Sequence, residues 1–381
     1  MKALRIAYIS ESSPSDKHAW SGTVHYVYEA LKKKGYQVTA LGPARPRIER
    51  WVLALINKAS LLLFDRRIDY RHTALYSKAF ARVFEKKLNT TTFDVIIHCG
   101  TTETGAYLKT SLPVIYVLDR TIAGAIDYHS ILSKLWKYSE NQSIALDKKA
   151  MTEAHFVLFS SLWAAQHALQ HYHLPPQKIA VLPFGANLDE IPERSTVLIN
   201  KPKDSIRLFL MGTYWDNKGA GIAVNAMKEL RAAGYKVHLT VAGCEPPDGL
   251  QDPDLEIIPF IDKNSREGLL LIRELFLSHH FFILPTRFDC TPIVFCEASA
   301  FGVPVLSADT GGVAGHVQSG VNGYLLPYSD QGPAYANKIL EILATAGRYE
   351  ALCKTTRDHY EQALNWGVWS DRFAELLTKL I

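Results

Sequence analysis

The sequence predicts an α/β protein of two doubly wound domains, and three observations support this prediction. Short apolar segments alternate with segments of helical period along the chain, which is the pattern of parallel sheets covered by helices. The alternation stops at residues 189–205, where Pro192, Pro202 and many charges interrupt it, and then begins again. The length of 381 residues also suits two domains, since one domain commonly takes ~100–200 residues.

The composition is that of an ordinary globular protein, with 48% hydrophobic and 21% charged residues. The net charge is only +4, so we predict no nucleic-acid partner, because such proteins carry a clear basic excess. Five cysteines stand singly, which argues against a zinc cluster and favours a reducing cytoplasm. We expect neither a signal peptide nor a membrane-spanning segment, since no clean apolar run of ~18 residues is visible.

In the first half, a helix follows the first predicted strand. Thr23–Lys34 is predicted to be helical because Val24, Val27 and Leu31 recur at helical spacing, and Gly35 ends the pattern. The strands predicted in this half are Arg5–Ser10, Gln37–Leu41, Val95–His98, Val114–Leu118, Phe156–Ser160 and Ile179–Leu182.

The second half repeats the alternation of strands and helices. The predicted strands are Ile206–Met211, Val237–Ala242, Glu256–Pro259, Phe281–Leu284 and Pro304–Ser307. The predicted helices between them are Gly219–Ala233, Glu267–Leu277 and Ile293–Phe301. Residues 328–381 are predicted to be wholly helical, with Trp366 and Trp369 at a packed junction. Ligands of doubly wound folds bind beyond the carboxyl ends of the strands, so we expect a site in a crevice there.

The first candidate site lies in residues 284–312, where polar residues follow the predicted strands. Asp289 lies in the loop after one strand, Glu297 in the next helix, and Gly311-Gly312 after the following strand. A helix N-terminus suits phosphate, and carboxylates accept hydrogen bonds from sugar hydroxyls. Spacing alone leaves open an ordinary helix start with solvated acids.

The second candidate site opens the helix after Ile206–Met211. Gly212 permits a ligand to approach the backbone closely, and Lys218 supplies a cation. This combination suits a diphosphate. Gly219-x-Gly221 is also part of a nicotinamide-dinucleotide fingerprint, and a solvated lysine is a third interpretation.

The third candidate is the small-residue turn Trp20-Ser21-Gly22-Thr23, which could admit a phosphate. A helix N-cap formed by Ser21 or Thr23 is the favoured interpretation here.

The segment Arg45–His72 mixes basic and apolar residues. The favoured interpretation is a solvated helical face above an ordinary core. A membrane-surface or lipid-acceptor face is the alternative.

Together these motifs resemble glycosyltransferase family 4, retaining sugar-nucleotide transferases of the GT-B architecture. The resemblance covers nearly the whole chain and is strongest at residues 281–326. The family's motifs are matched there, in order, by Asp289, Glu297-Ala298, Gly302-Val303-Pro304-Val305, Gly311-Gly312 and Asn322-Gly323. Lys218-Gly219 resembles the family's diphosphate-binding lysine, and residues 183–187 resemble the turn that ends its first domain.

The resemblance implies two Rossmann-like domains facing a central cleft, at residues 1–187 and 188–363, with a helix at 364–381 that packs back on the first. It implies transfer of a hexose, with retention, from a nucleoside-diphosphate sugar, by default a UDP-sugar, to a hydroxyl of a sugar, glycan or glycolipid. No cofactor and no metal are expected. The expected location is the cytoplasm, with peripheral contact at the inner membrane surface as an option.

The resemblance also implies roles for individual residues. Lys218 would neutralise the diphosphate, Glu297 would bind ribose hydroxyls, and Asp289 would hold the donor sugar. Asp119 would orient the acceptor hydroxyl, with a turn cap as the alternative. The other implied donor-binding residues are Gly22, Gly212, Pro259, Phe260, Ile261, Thr291, Pro292, Ile293 and Val294.

Three departures from the family pattern keep other functions open. Asp289 stands where glutamate is usual, residues 213–217 lack the usual arginine, for which Arg287 is a candidate substitute, and Leu118 stands where many members have histidine. The alternatives are a sugar-nucleotide epimerase or phosphorylase on the same fold, and a catalytically weak sugar-nucleotide-binding subunit.

Overall fold

The computed structural model describes residues 4–44, 46–126, 128, 132–198 and 204–380, so Arg45 and part of the predicted linker lie outside the described residues. The chain divides into two compact units, the first formed by Met1–Leu182 with Ser370–Ile381 and the second by Pro183–Trp369. The domain limits expected from the sequence, after residues 187 and 363, lie near these divisions without coinciding with them.

A six-stranded parallel sheet forms the centre of the first unit, in the order β2-β1-β3-β4-β5-β6. Its strands are β1 (Arg5–Ile9), β2 (Gln37–Ala40), β3 (Val95–Cys99), β4 (Val114–Leu118), β5 (Phe156–Phe159) and β6 (Ile179–Val181). Its helices are α1 (Thr23–Lys33), α2 (Arg47–Phe64), α3 (Ala74–Leu88), α4 (Ile122–Ala125), α5 (Lys137–Glu153) and α6 (Leu162–His167). The inner strands are almost wholly buried, as expected of parallel strands covered on both faces.

The second unit has a sheet of the same kind, in the order β12-β11-β10-β7-β8-β9. Its strands are β7 (Ile206–Met211), β8 (Val237–Ala242), β9 (Leu255–Ile258), β10 (Phe281–Leu284), β11 (Val305–Ala308) and β12 (Gly323–Leu326). The remaining helices are α7 (Arg194–Val197), α8 (Ala220–Ala232), α9 (Arg266–Ser278), α10 (Ile293–Ala300), α11 (Gly332–Ala344), α12 (Arg348–Ala363) and α13 (Trp366–Leu377). The predicted fold class, two parallel sheets with helices, is confirmed.

Strand β12 is the element of the second sheet that the sequence did not predict. It pairs with β11 from Gly323 opposite Val305. A Cβ atom on Gly323 would lie 2.0 Å from the carbonyl oxygen of Val305, so the strand can begin there only with glycine. This short strand was missed because its first residue carries a turn signal, not a strand signal.

The predicted junction at the two tryptophans is confirmed within the second unit. Trp369 is 1% exposed, and the helical conformation is interrupted between α12 and α13, just before Trp366. The Trp366 ring stacks on Phe184 with centroids 5.7 Å apart, and its Nε1 donates to Asn187 Oδ1 at 3.0 Å. The indole rings therefore fix the path of residues 184–187.

Helix α2 does not have the solvated polar face that the sequence favoured. Trp51 is 66%, Leu62 76% and Leu63 73% exposed. Other large apolar side chains of this helix that are exposed are Ile48, Val52, Leu55, Ile56, Leu61 and Phe64. The favoured interpretation was wrong because apolar residues occupy too many positions of the helix for one face to bury them. Within the described ranges, no helix is long and apolar enough to cross a membrane.

Candidate active site

The chain order of the second sheet reverses between β7 and β10. Strands β8 and β9 lie on one side of this pair, and β11 and β12 lie on the other. Ligands of doubly wound sheets bind at the carboxyl ends of the strands at such a point. The loops that follow β7 and β10 carry Lys218 and Asp289. The topology therefore places both predicted residues where a ligand is expected.

Close backbone contacts join these two loops. Arg287 N donates to the carbonyl oxygen of Asn217 at 2.7 Å, and Thr286 Oγ1 lies 3.1 Å from the same oxygen. Gly219 has a φ of +67°, and a Cβ atom there would lie 2.1 Å from the carbonyl oxygen of Pro285. Gly219 is thus needed for the two loops to meet, which explains its place in the sequence without a dinucleotide fingerprint.

Lys218 and Asp289 form an ion pair across the loops, although they lie 71 positions apart in the chain. Lys218 Nζ is 2.6 Å from Asp289 Oδ2, and the side chains are only 17% and 13% exposed. Thr291 N donates to Asp289 Oδ1 at 3.1 Å, so both carboxylate oxygens are bound. A Cβ atom on Gly212 would lie 2.8 Å from Lys218 Cγ, so Gly212 leaves room for the lysine stem. The pair is mostly desolvated and is therefore weakly screened by salt.

The glycine-rich loop after β11 is attached to the same centre. Gly312 N donates to the carbonyl oxygen of Asp289 at 3.0 Å, and Gly311 has a φ of +53°. The guanidinium of Arg287 lies 3.9 Å from the centroid of the Tyr328 ring. This cation–π contact holds the side chain that the sequence suggested as a substitute arginine.

Helix α10 begins at Ile293, after Pro292 and without a side-chain cap. The first-turn N–H groups of an α-helix have no intrahelical partner, and the helix dipole makes this end electropositive. Ile293 and Val294 supply the first of these groups. The helix start can therefore hold an anion beside Asp289 and Thr291.

Glu297, one turn into α10, is wholly buried. Lys263 Nζ lies 2.9 and 3.2 Å from its two carboxylate oxygens. A buried carboxylate requires such a partner. Of the predicted residues just before Lys263, Pro259 and Phe260 are exposed and Ile261 is half-buried. Sequence reasoning missed Lys263, because no local pattern marks a lysine that reaches a helix 34 positions away.

The first sheet also reverses its order, between β1 and β3. The loop after β1 ends in a turn where Trp20 and Ser21 have φ values of 49° and 55° and Gly22 has 89°. Gly22 is the N-cap of α1, and no side chain caps the helix. The prediction of a cap by Ser21 or Thr23 was wrong. A residue that caps a helix with its side chain has extended backbone angles, whereas Ser21 has left-handed backbone angles.

Asp119 follows β4 in the first unit and is bound to this turn. Trp20 Nε1 donates to Asp119 Oδ2 at 3.0 Å, and Arg120 Nη1 lies 3.4 Å from Oδ1. The Trp20 ring covers Gly100, where a Cβ atom would lie 2.9 Å from Cε3 of the ring. The carboxylate of Asp119 is thus oriented by an indole group of the turn that contains Gly22.

The described part of the chain contains no group of three or more His, Cys, Asp or Glu side chains that could hold a metal ion. All five cysteines are buried, and none of them forms a disulfide bond. Positive charge in the candidate site of the second unit comes from Lys218, Lys263 and the start of α10.

Two family models match the chain on either side of the linker. A model described as Glycosyltransferase Family 4 matches residues 22–190, and one described as Glycosyl transferases group 1 matches residues 205–345. The chain belongs to the GT4-type glycosyltransferases. All of the site residues described above except Trp20 and Ser21 lie within these two matches.

Curated relatives of this GT4-type chain carry glycosyltransferase names. It is 25% identical over 225 residues to WcaL of Salmonella typhimurium, named for colanic acid biosynthesis, covering 54% of this chain and 53% of the relative. It is 24% identical to the amylovoran biosynthesis glycosyltransferase AmsK of Erwinia amylovora, covering 58% and 55%. A D-inositol 3-phosphate glycosyltransferase of Streptomyces scabiei is 23% identical, covering 56% and 51%. The match thus spans about half the length of these relatives.

Solved structures resemble the GT4-type chain along its whole length. A sucrose-phosphate synthase from Thermosynechococcus elongatus has a TM-score of 0.70 at 16% identity, covering 100% of this chain and 99% of that one. The lipopolysaccharide glycosyltransferase WaaG has 0.64 at 12%, covering 98% and 100%. Anabaena Alr3699/HepE, solved in complex with UDP and glucose, has 0.63 at 14%, covering 99% and 100%. At these identities the likeness establishes the fold, which is GT-B.

Proposed function

We propose that this chain transfers a hexose from a UDP-sugar to a hydroxyl of a sugar, glycan or glycolipid, with retention of the anomeric configuration. The observation that carries the proposal is the mostly buried Lys218–Asp289 pair at the reversal point of the second sheet. The names of the relatives, which include the biosynthesis of two polysaccharides, support a glycan acceptor. Solved structures of neighbours in complex with UDP and with UDP-glucose support the donor. These names do not favour an epimerase, a phosphorylase or a non-catalytic subunit.

The proposed mechanism begins with the departure of the diphosphate. As the anomeric bond breaks, negative charge grows on the diphosphate, and preorganised donors stabilise that charge. Lys218 and the start of α10, from Ile293, would supply the donors. When the diphosphate takes Lys218 as its partner, Asp289 would turn its Oδ2 to a hydroxyl of the donor sugar. Fixed cations and N–H groups would therefore replace a metal ion.

Two further carboxylates have proposed roles, one in each unit. Glu297 would accept hydrogen bonds from the ribose hydroxyls while Lys263 balances its charge. Asp119 would bind the acceptor hydroxyl, and its bond from Trp20 holds the carboxylate in one orientation. Retention requires either attack on the face that the diphosphate leaves or a covalent intermediate, and the proposal is compatible with both.

Donor binding is tested by thermal shift of the full chain with UDP-, GDP- and ADP-sugars. We expect UDP-sugars to raise the melting temperature most, because a ligand at about 100 times its Kd adds ~2.7 kcal/mol to the free energy of unfolding. Glu297→Gln should lose most of this shift, since it weakens the ribose contact. Glu267→Gln, on the exposed surface of α9, is the matched control and should keep it. Absence of a shift with every nucleotide sugar, together with absence of transfer, would contradict the proposal.

We also propose peripheral membrane contact through α2, carried by its exposed apolar side chains. Apolar residues enter the headgroup boundary, and adjacent basic residues such as Arg50 and Lys58 attract anionic lipids. In co-sedimentation with phosphatidylglycerol vesicles, we expect Leu62→Glu with Leu63→Glu to reduce the bound fraction several-fold. Leu270→Glu replaces a leucine of α9 that is 50% exposed and should leave binding unchanged. Equal sedimentation of all three proteins would exclude this contact.

A further inference from the structure

A buried carboxylate of the first unit is bound to the chain segment that follows Asp119. Asp147, on α5, is 2% exposed. Thr102 Oγ1 donates to its Oδ1 at 2.6 Å. The Ile122 N–H and the Tyr172 hydroxyl donate to its Oδ2 at 2.8 and 2.7 Å. Burial raises the pKa of this carboxyl, and the three hydrogen bonds oppose that rise because they stabilise the charged form.

Two of these donors come from the loops that follow neighbouring strands. Thr102 follows β3 and Ile122 follows β4, and these two strands are paired. The buried carboxylate therefore ties one loop to the other. Trp20 connects the same two loops a second time, because its indole donates to Asp119 Oδ2 and its ring covers Gly100.

The segment that carries Asp119 is held at both ends. On the strand side, Ser160 N donates to the carbonyl oxygen of Leu118 at 3.0 Å. On the helix side, Ile122 N donates to the buried carboxylate. Asp119 and Arg120 lie between these two fixed points. The position of the Asp119 backbone therefore depends on the contact at Ile122.

Helix α4, which begins at Ile122, is too short to hold itself in place. It has four residues, and a helix of one turn is unstable on its own hydrogen bonds. Side chains bind its first N–H groups: after Ile122, Ala123 N donates to Tyr172 Oη at 3.2 Å and Gly124 N to Thr121 Oγ1 at 3.1 Å. Since Tyr172 is itself bound to the buried carboxylate, two of these three attachments depend on that carboxylate.

We infer that Asp147 is a positioning residue for sugar transfer, which holds the loops after β3 and β4 so that Asp119 keeps the orientation that binds the attacking hydroxyl. The inference rests on the proposed function, because that proposal gives Asp119 its role. Asp147 touches no substrate in this scheme, since it is buried and all of its hydrogen bonds lie within the protein.

Two substitutions of Asp147 separate its hydrogen bonds from its charge. Asp147→Ala removes all three bonds and should lower kcat by ~10–100-fold, because a small misplacement of a catalytic group is costly. Asp147→Asn can keep the three bonds: its oxygen accepts from Ile122 and Tyr172, and its amide donates to Thr102, whose hydroxyl also accepts. We expect this conservative variant to restore most of the activity.

The measurement is release of UDP from the UDP-sugar that gives the largest thermal shift. The acceptor probe is n-octyl β-D-glucoside, with water as the acceptor where the glucoside is not used. The thermal shift by the UDP-sugar should be the same in Asp147→Ala, Asp147→Asn and the wild type, because the proposed donor residues Lys218 and Glu297 lie in the second unit. A loss of kcat with an unchanged donor shift is not expected from general destabilisation.

Asp94→Ala is the matched control for loss of a carboxylate with three bonds. Asp94 precedes β3, at the opposite end of the strand, and accepts from Arg5 N, Nε and Nη2 at 2.8, 3.1 and 2.7 Å. Its loss should lower the melting temperature and leave kcat unchanged. In an Asp119→Ala background, Asp147→Ala should cause little further loss of kcat, because the two residues act through one group.

A variant with a smaller change covers the case in which Asp147→Ala does not fold. Thr102→Val removes one donor and leaves the bonds to Ile122 and Tyr172, so kcat should fall several-fold. Deuterium uptake of residues 119–125 reports on the contact itself. It should be faster than in the wild type when Asp147 is alanine and near the wild-type rate when it is asparagine.

The outcomes separate this inference from the proposed function. If the wild type releases UDP, an unchanged kcat in both Asp147→Ala and Thr102→Val would overturn only the inference. A loss of the same size with and without Asp119 would also overturn it, because Asp147 would then not act through Asp119. A wild type that shows no thermal shift and no release with any UDP-sugar would contradict the proposed function, while deuterium uptake would still show whether Asp147 holds the loop.

Discussion

Replacement of Lys218 with methionine is expected to lower kcat/KM for sugar transfer by about 10²–10³-fold, the usual effect of removing one donor that stabilises transition-state charge. Methionine keeps most of the apolar stem that passes over Gly212, so the change removes the charge more than the packing. Initial rates of transfer from the donor that thermal shift selects provide the measurement.

Loss of Lys218 also leaves Asp289 mostly buried without its cation, and this second effect must be separated from the first. Lys218→Met with Asp289→Asn removes both charges, so it should recover the melting temperature but not the rate of transfer. Lys338→Met breaks a surface pair with Glu341 on α11 and should leave kcat/KM unchanged. A rate for Lys218→Met within about threefold of the wild type would show that the diphosphate is stabilised elsewhere.

Replacement of Gly219 with alanine is expected to lower the free energy of unfolding by ~2–5 kcal/mol. The left-handed backbone costs an L-residue ~1–2 kcal/mol, and overpacking adds ~1–3 kcal/mol, because the new Cβ would lie 2.1 Å from the carbonyl oxygen of Pro285. Urea unfolding of the two proteins measures the difference. Donor affinity should fall as well, since the loop that carries Asp289 must move away.

Gly234 provides the matched control for this change. Its φ is +90°, but no atom lies within 4 Å of the position of a Cβ there. Gly234→Ala should therefore lower the free energy of unfolding only by the ~1–2 kcal/mol that a left-handed backbone costs an L-residue. It should leave donor affinity unchanged. Equal losses of stability in the two variants would mean that the contact with Pro285 does not constrain the loops.

Most of the fold could be predicted because the strands are continuous apolar segments with clear ends. Lys218 and Asp289 could be placed together for the same reason, since parallel strands bring their carboxyl ends to one edge of the sheet. Their direct ion pair was not predicted, and it follows from the backbone contact at Gly219. Local patterns thus fixed which loops meet, whereas the side-chain partners within the loops depend on the tertiary structure.

Three features could not be read from the sequence. The bonds from Lys263 to Glu297 and from Trp20 to Asp119 join residues 34 and 99 positions apart, and no periodic pattern reports such distances. The exposure of the apolar side chains of α2, such as Leu62, was misjudged because periodicity indicates an apolar face but not what covers it.

The turn at Trp20 and Ser21 keeps two consecutive residues in a conformation that costs ~1–3 kcal/mol each. The indole bond to Asp119 and the ring contact with Gly100 offset this cost within the protein itself. If Asp119 binds the acceptor as proposed, a matching acceptor would meet a surface that needs no reshaping, while a mismatched one would gain nothing by distorting it. Variants that destabilise the turn at Trp20 and Ser21 should consequently use a wider range of acceptors. The same variants should unfold at a lower temperature.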